Sequence, residues 1–590
     1  MPRGSNYERY RQSAYNRSED YPIRPLTYGG NYRPIASYVG RLILPGPGQR
    51  MHGDGVFIQI QQADDAGLIG KTLPLRWNDE PLVQERVAAV TRDVTFNWRT
   101  RKTRSLGIGY PERINGWKAV GPLESLAAQH PYDDVMVTLR GPVGRTTDES
   151  GTETLYIAEQ PLLVTGRFYG MVTFVGPDSA VQDGYKVYHF SRETGGFDGP
   201  EEVVRMPETI PDKKNAATSK RESILSSHLN GSGWYVYGSP NDAGDFVVQA
   251  IVPRSLLRLL PQKVLSGKAQ TISFIEEEAW RRIYQRKGEV LSVALAADGQ
   301  SEAEMLSSWK EGDRGLLLHA FGRYTPHSFF LGMRQATCLG HFAFGIATVV
   351  RDPLSDELRF DITYEQVYTN NTEGVISGTN VYAHFMGNRQ FGFLGSLPVV
   401  DILLKFDPVD KDYDFDGVKR SPLDEFARNL EIMTARYRIA DGKGGTYVGP
   451  SHNCSQDSNQ TLYATVCYLP QTDDDLRDRA DWAKRNPAEA ARLARLMALA
   501  ESLRKKLFPL GSARADWRDN SASLGSSFED NPLSSAWMAI LTWRTVLPHV
   551  AADSIARLFL EHGASAWVLG TSLVGGDNEN LEAVVPIHFT

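Results

Sequence analysis

One of the three cysteines in this 590-residue chain stands where a thiol becomes a nucleophile. Cys454 lies between a stretch carrying Gly442, Gly444, Gly445, Gly449 and Pro450 and a run from Ser455 to Tyr468 that contains neither Gly nor Pro. In that run Leu462, Tyr463, Val466 and Cys467 fall at helical spacing, so the sequence predicts a loop that ends, and a helix that begins, at Cys454. Unpaired N–H groups and the positive end of the dipole at a helix start favour thiolate over thiol. The chemistry this suggests is attack by Cys454 on an acyl carbon. It needs an imidazole base within hydrogen-bond reach and a polar group to orient that base. The same local sequence also suits a buried cysteine in a turn.

Candidate bases are few. His452 is two residues from Cys454 and is expected to point elsewhere, while His549, His562 and His588 fall in the C-terminal region. His341 opens an apolar run to Val350 that reads as a strand, and Glu357 to Tyr368 alternates as its antiparallel neighbour would across Arg351 to Asp356. Asp361 and Glu365 share a face of that second strand, so either could orient His341. The alternative for His341 is a strand-end histidine satisfied by its surroundings.

A His-bearing strand, further strands, then Asn453-Cys454 at a helix start resembles the permuted papain-like families. These include the circularly permuted NlpC/P60 hydrolases and the lecithin:retinol acyltransferase group. The matching pieces are Gly312-Asp313 with Leu316 to Leu318, His341 with Phe342 to Val350, Asp361 or Glu365, and Asn453-Cys454. The resemblance implies hydrolysis of an amide or ester, or acyl transfer. In it Cys454 attacks, His341 takes and returns the proton, and Asp361 or Glu365 orients His341.

A second resemblance covers more of the chain. Gly233 to Gly238, Phe246 to Arg254, Gly444 to Gln460 and Thr542 to Pro548 are similar to large cyanobacterial proteins grouped as predicted Abi (CAAX) family proteases. It implies a glutamic-type protease with Glu277 and Glu278, in Glu277-Glu278-Ala-Trp-Arg-Arg282, as acid and base, and with a second motif at His384-Phe-Met-Gly-Asn388. The chain departs from that pattern, because no Phe-x-x-x-His falls between the two motifs. Those enzymes are also membrane-embedded, and no run here offers about 20 clean apolar residues. Gly315 to Val350 is broken by Arg323, Pro326, His327 and Arg334, and Ser534 to Val550 by Arg544 and Pro548. Glu276 to Arg282 reads equally as a solvated helix face.

Stepping outward, regular short strands with turn signals between them run from Tyr38 to Arg205, among them Val56 to Ile60, Thr72 to Trp77, Val135 to Leu139 and Arg167 to Val175. The expected fold class is multidomain. Residues 1–33 form a disordered tail, 34–206 all-β barrel or sandwich modules, 207–232 a linker, 233–470 a central α+β domain of permuted papain-like type, and 471–590 an α-helical region. Within the central domain, Gly233 to Val252 reads as a hairpin, Lys268 to Leu295 largely as helix, and Val381 to Met386 and Leu397 to Phe406 as further strands.

A net charge of -7 and a pI near 6.0 supply no basic field for nucleic acid. Three cysteines without a Cys-x-x-Cys pair point to a reducing compartment, and the start of the sequence carries no signal-peptide core, so the cytoplasm is expected. The expected partner is an unidentified protein or an acyl or peptide substrate. No transmembrane segment is expected, although Trp537, Met538 and Trp543 could give peripheral membrane contact. No cofactor is expected except weakly bound calcium at Asp412, Asp414 and Asp416 before Gly417. Leu423 stands where such a loop ends in a bidentate Glu, and an acidic surface turn is the alternative.

Overall fold

The computed structural model describes residues 20–26, 30–46, 55–96, 111–211, 221–281, 283–321, 340–371, 374–439, 442, 454–469, 476–507 and 548–575. The strand Arg314–Phe321 is apolar on both faces, and seven of its eight residues are buried, which suits a position covered from both sides. It pairs antiparallel with His341–Arg351 on one edge and Pro398–Lys405 on the other. From His341–Arg351 the sheet continues through Leu358–Asn371 and Gly374–Val381 into the N-terminal strands Leu162–Leu163, Val135–Thr138, Tyr38–Ile43, Val56–Ala63 and Thr72–Trp77. From Pro398–Lys405 it continues through Ser565–Ser572 and Val290–Leu295. The result is one sheet of 15 strands.

A second, six-stranded sheet joins Tyr32–Pro34, Phe168–Asp178, Gly184–His189, Glu201–Arg205, Phe246–Pro253 and Trp234–Pro240. Phe168–Asp178 also pairs with Trp234–Pro240, so the last five close on themselves as a small barrel and leave no open edge among them. The hairpin expected between Gly233 and Val252 is present.

The central sheet is covered differently on its two faces. Leu316, Leu318, Phe342, Phe344 and Ile402 face the helices Pro422–Ile439, Cys454–Tyr468, Pro487–Leu507 and Pro548–Glu561 through Phe426, Leu462, Leu496 and Phe559. Leu317, Ala347, Phe360, Tyr364 and Leu403 face the barrel through Trp234, Phe246 and Val248. Phe344 meets Phe426 edge to face at 4.9 Å, a geometry that adds about 0.5–1.5 kcal/mol to area burial.

Several boundaries differ from expectation. Strands before and after the expected linker at 207–232 pair within the barrel, and the strands of 34–206 are divided between the central sheet and the barrel, so the expected limit at 206 does not separate cores. Residues 212–220 lie outside the described set. Tyr32, expected in a disordered tail, stacks on Phe246 at 4.1 Å, and Arg167 Nη1 donates to the Pro22 carbonyl at 3.0 Å. Val290–Leu295 is a strand, because Gly288 with φ of +84° ends the preceding turn and the β-branched run that follows pairs with Ser565–Ser572. Ser565–Ser572 is itself a strand buried along its whole length in a region expected to be helical. Val381 ends a strand, and Tyr382–Phe385 is one helical turn.

Candidate functional site

The helix Cys454–Tyr468 begins at the predicted residue. It packs against His341–Arg351, so the expected order of His strand and Cys helix brings those two elements together. Strand pleating then divides their side chains, because successive residues point to opposite faces. Phe342 and Phe344 lie in the helical-face core with Cys454. His341 points the other way, with its ring 6.1 Å from His319, 5.1 Å from Phe321 and 6.4 Å from Phe385. The expected thiol–imidazole pair is therefore not formed.

Among the described residues the polar partners of the Cys454 thiol are backbone N–H groups, those of Phe342, Ser455 and Cys454 itself, with no histidine among them. Burial pushes the thiol up to about 12, the N–H bonds counting against that rise and Asp457 adding to it. The helix start does not make a thiolate here, because desolvation outweighs the dipole. The loop before Cys454, including Asn453 and His452, lies outside the described residues except for Gly442.

His341 Nε2 meets Gln366 Oε1 at 2.6 Å. Burial, with His319 alongside, holds the imidazole down to about 3, and the Gln366 bond opposes this. Asp361 and Glu365 do share a face, as expected, but it is the face opposite His341. Asp361 is largely exposed and lies 3.6 Å from Arg359 Nη1. Glu365 is buried opposite Phe344 and accepts from Thr379 Oγ1 at 2.7 Å. Burial and the nearby Glu431 push its carboxyl up to about 8, against Arg140 and the Thr379 bond. Neither residue orients His341.

A further buried polar cluster is not among the residues the sequence reading names. His319 and Asp401 are register partners on adjacent strands, both buried, and His319 Nδ1 lies 2.6 Å from Asp401 Oδ1. Tyr364 donates its hydroxyl to Asp401 Oδ2 at 2.6 Å, and burial followed by the charge of Asp401 holds that phenol well above its ordinary value. His319 Nε2 and Gln366 Nε2 are buried without hydrogen-bond partners among the described residues. The signal was available: each of His319 and Asp401 is a lone polar residue inside an apolar run.

His384 Nδ1 lies 2.9 Å from Thr165 Oγ1, which also accepts from Asn388 Nδ2 at 3.0 Å. Burial holds His384 down to about 4. This motif sits on the barrel face beside Phe385, whereas Glu277 and Glu278 follow Phe274 and Ile275 of the helical-face core. Glu277 is exposed, and Glu278 pairs with Arg281 at 2.5 Å. Arg282 lies outside the described residues. The two motifs of the second resemblance do not meet.

The calcium-like loop is a hairpin, Tyr413–Phe415 paired with Val418–Arg420. Asp414 Oδ1 caps its turn by accepting from Gly417 N at 2.6 Å, and Asp416 pairs with Arg485 at 2.5 Å. Asp412 offers its backbone carbonyl to Arg492. The alternate oxygens therefore serve the turn and surface pairs instead of converging on a cation. Among the described residues no group of three or more His, Cys, Asp or Glu side chains could hold a metal ion. Among them also, no helix is long and apolar enough to cross a membrane.

The class these features define is a β-rich mixed protein with one continuous sheet between a helical layer and a small barrel. No protein-family model, no curated protein and no solved structure matches the chain.

Proposed function

We propose that the chain is a binding or scaffold protein in which Cys454 is a structural residue of the helical-face core. The observation that carries this reading is the division of Cys454 and His341 between opposite faces of one strand, the thiol among apolar side chains and the imidazole on Gln366. A nucleophile needs a base in reach and a low proton affinity, and among the described residues Cys454 meets no imidazole while burial raises its proton affinity.

A second reading, a cysteine-dependent hydrolase or acyltransferase with Cys454 as nucleophile and His341 as base, draws on a different observation. The first turns of the Cys454 helix bury Ser458 and Asn459 with Oγ, Nδ2 and Oδ1 lacking partners among the described residues. Such groups cost about 1–3 kcal/mol each when left unpaired, and sites of chemistry are among the places that retain them. Against this reading, the His341 side chain would have to change faces of the sheet.

Site-resolved alkylation with limiting reagent, from about pH 5 to pH 9, separates the two in the wild type and in His341→Ala. The structural reading expects Cys454 to react more slowly than half-exposed Cys467 throughout, with no change in the variant. A Cys454 that reacts fastest near neutral pH and loses that advantage without His341 would establish the hydrolase or acyltransferase instead.

A further inference from the structure

At one end of the central sheet two neighbouring strands bring a lysine amine against a carboxyl group. Arg314–Phe321 and Pro398–Lys405 run antiparallel, which sets Asp313, just ahead of the first strand, beside Lys405, the last residue of the second. Lys405 Nζ donates to Asp313 Oδ2 and to the Ser308 carbonyl. The lysine side chain is only 13% exposed, and its amine lies 5.0 Å from the centre of the Trp309 ring. Gly315 leaves room for that cover, since a Cβ there would stand 3.1 Å from the Trp309 ring and 2.8 Å from the Leu404 carbonyl.

A third group completes the set. Asp410 ends the single helical turn Asp407–Asp410 that follows the second strand. Its Oδ2 accepts from Phe406 N, while Oδ1 is buried without a hydrogen-bond partner among the described residues. Burial holds this carboxyl well above the ordinary carboxylate range, the Phe406 bond and Lys405 counting against that rise and Asp407 and Asp313 adding to it. Asp410 is therefore a carboxylic acid at neutral pH, close enough to Lys405 and Asp313 for their charges to act on it. The other charges at this end are engaged, Asp407 by Lys411 at 3.2 Å and Arg314 by Asp424 at 2.5 Å.

We infer that Lys405 and Asp313 form a self-modification site, joined by an isopeptide bond between Nζ and Cγ that staples the two strands. Contact replaces a bimolecular encounter, and withdrawal of the amine from water weakens the preference for a separated ion pair over a neutral amide. In the step Nζ attacks Cγ and one Cγ–O bond breaks. The departing oxygen takes two of the three ammonium protons and leaves as water, so atoms and charge balance without a co-reactant. Asp410 gives one proton to that oxygen and regains one from the nitrogen. Asp313, 34% exposed, lies where the water can leave. The inference goes beyond the binding or scaffold reading and needs nothing from Cys454.

Intact-mass spectrometry of the unfolded full chain tests it. The mass should fall short of the sequence mass by one water, about 18 Da. Tryptic digestion should yield residues 311–314 joined to residues 390–411, with Lys405 uncut. Lys405→Arg should restore the full mass of its sequence. Asp410→Asn keeps the shape without the acid, and its rate of linking after refolding should fall by about a hundredfold or more while circular dichroism matches the wild type. A wild-type chain at full sequence mass, a water loss mapped to other residues, or a loss that persists in Lys405→Arg would overturn the inference. Linking in Asp410→Asn at the wild-type rate would overturn the role given to the acid. Should either variant fail to fold, the wild-type mass and joined peptide still decide.

Discussion

Removing the Asp401 carboxyl should loosen the middle of the sheet by more than the loss of a few atoms implies. Asp401 takes His319 Nδ1 and Tyr364 OH at 2.6 Å each, in a position only 2% exposed. In Asp401→Ala both groups lose their partner where water does not reach. An unpaired buried donor costs about 1–3 kcal/mol, so the pair should cost about 2–6 kcal/mol. Tyr364→Phe removes one of the two bonds and should cost about 1.5–3 kcal/mol, the range for bonds to charged groups. About 1.4 kcal/mol is tenfold in an equilibrium. Peptide-resolved hydrogen exchange across 398–405 and 314–321 should therefore quicken by roughly tenfold or more in Tyr364→Phe and roughly thirtyfold or more in Asp401→Ala. In the double variant the orphaned hydroxyl is gone, so its cost should fall short of the sum by about 1 kcal/mol or more. Exchange in Tyr364→Phe within about twofold of wild type, or additive costs, would refute the linkage.

Buried histidines and buried carboxyls pull stability in opposite directions as pH changes. Burial holds His341 and His130 down to about 3 and His384 to about 4, so their contributions are whole above the ordinary histidine value and are lost as pH falls toward those numbers. Glu365, raised to about 8, and Asp134, raised to about 7, contribute fully below ordinary carboxyl values and lose that contribution as pH rises through those numbers. Asp410 and Asp553, buried and held well above ordinary carboxyl values, act in the same direction as Glu365 and Asp134, so one group is isolated by substitution: in His341→Gln the slope of stability against pH between roughly pH 4.5 and 6.5 should be lower than in the wild type by about 1.4 kcal/mol per pH unit. Equal slopes in the two proteins across that interval would show the His341 imidazole to be solvated. Phe344→Ala should cost about 3–5 kcal/mol, since Phe344 is fully buried against Phe426, and a melting shift under about one degree would contradict that packing. Added calcium should leave the melting temperature unchanged, and a rise that Asp414→Asn abolishes would restore the cation loop.

Most strands could be read from local pattern. Thr72–Trp77, Phe246–Pro253 and Pro398–Lys405 are runs of β-formers bounded by turn residues, and the helix at Cys454 follows from the glycines before it. Local pattern did not show which strands pair, since Phe168–Asp178 meets Trp234–Pro240 across the segment that composition marks as a linker. It also misled at Val290–Leu295 and Ser565–Ser572, where each strand follows helical sequence and is fixed by the other. The candidate site was legible as elements and not as side chains. The order of His strand and Cys helix is present, but whether residue 341 or 342 faces the helix depends on a single step of strand phase, which periodicity near a strand end does not set. His319 and Asp401 became a pair only once their strands were adjacent.

The place of Ser565–Ser572 between Val290–Leu295 and Pro398–Lys405 also bears on how the chain is made. During synthesis the two flanking strands emerge long before the one that joins them. Until residue 572 has left the ribosome, both carry a row of unpaired backbone groups along an apolar edge. A nascent or truncated chain ending before Ser565 would offer those edges to another copy, so Ser565–Ser572 acts as the seal that ends a period of aggregation risk in the chain's own biosynthesis.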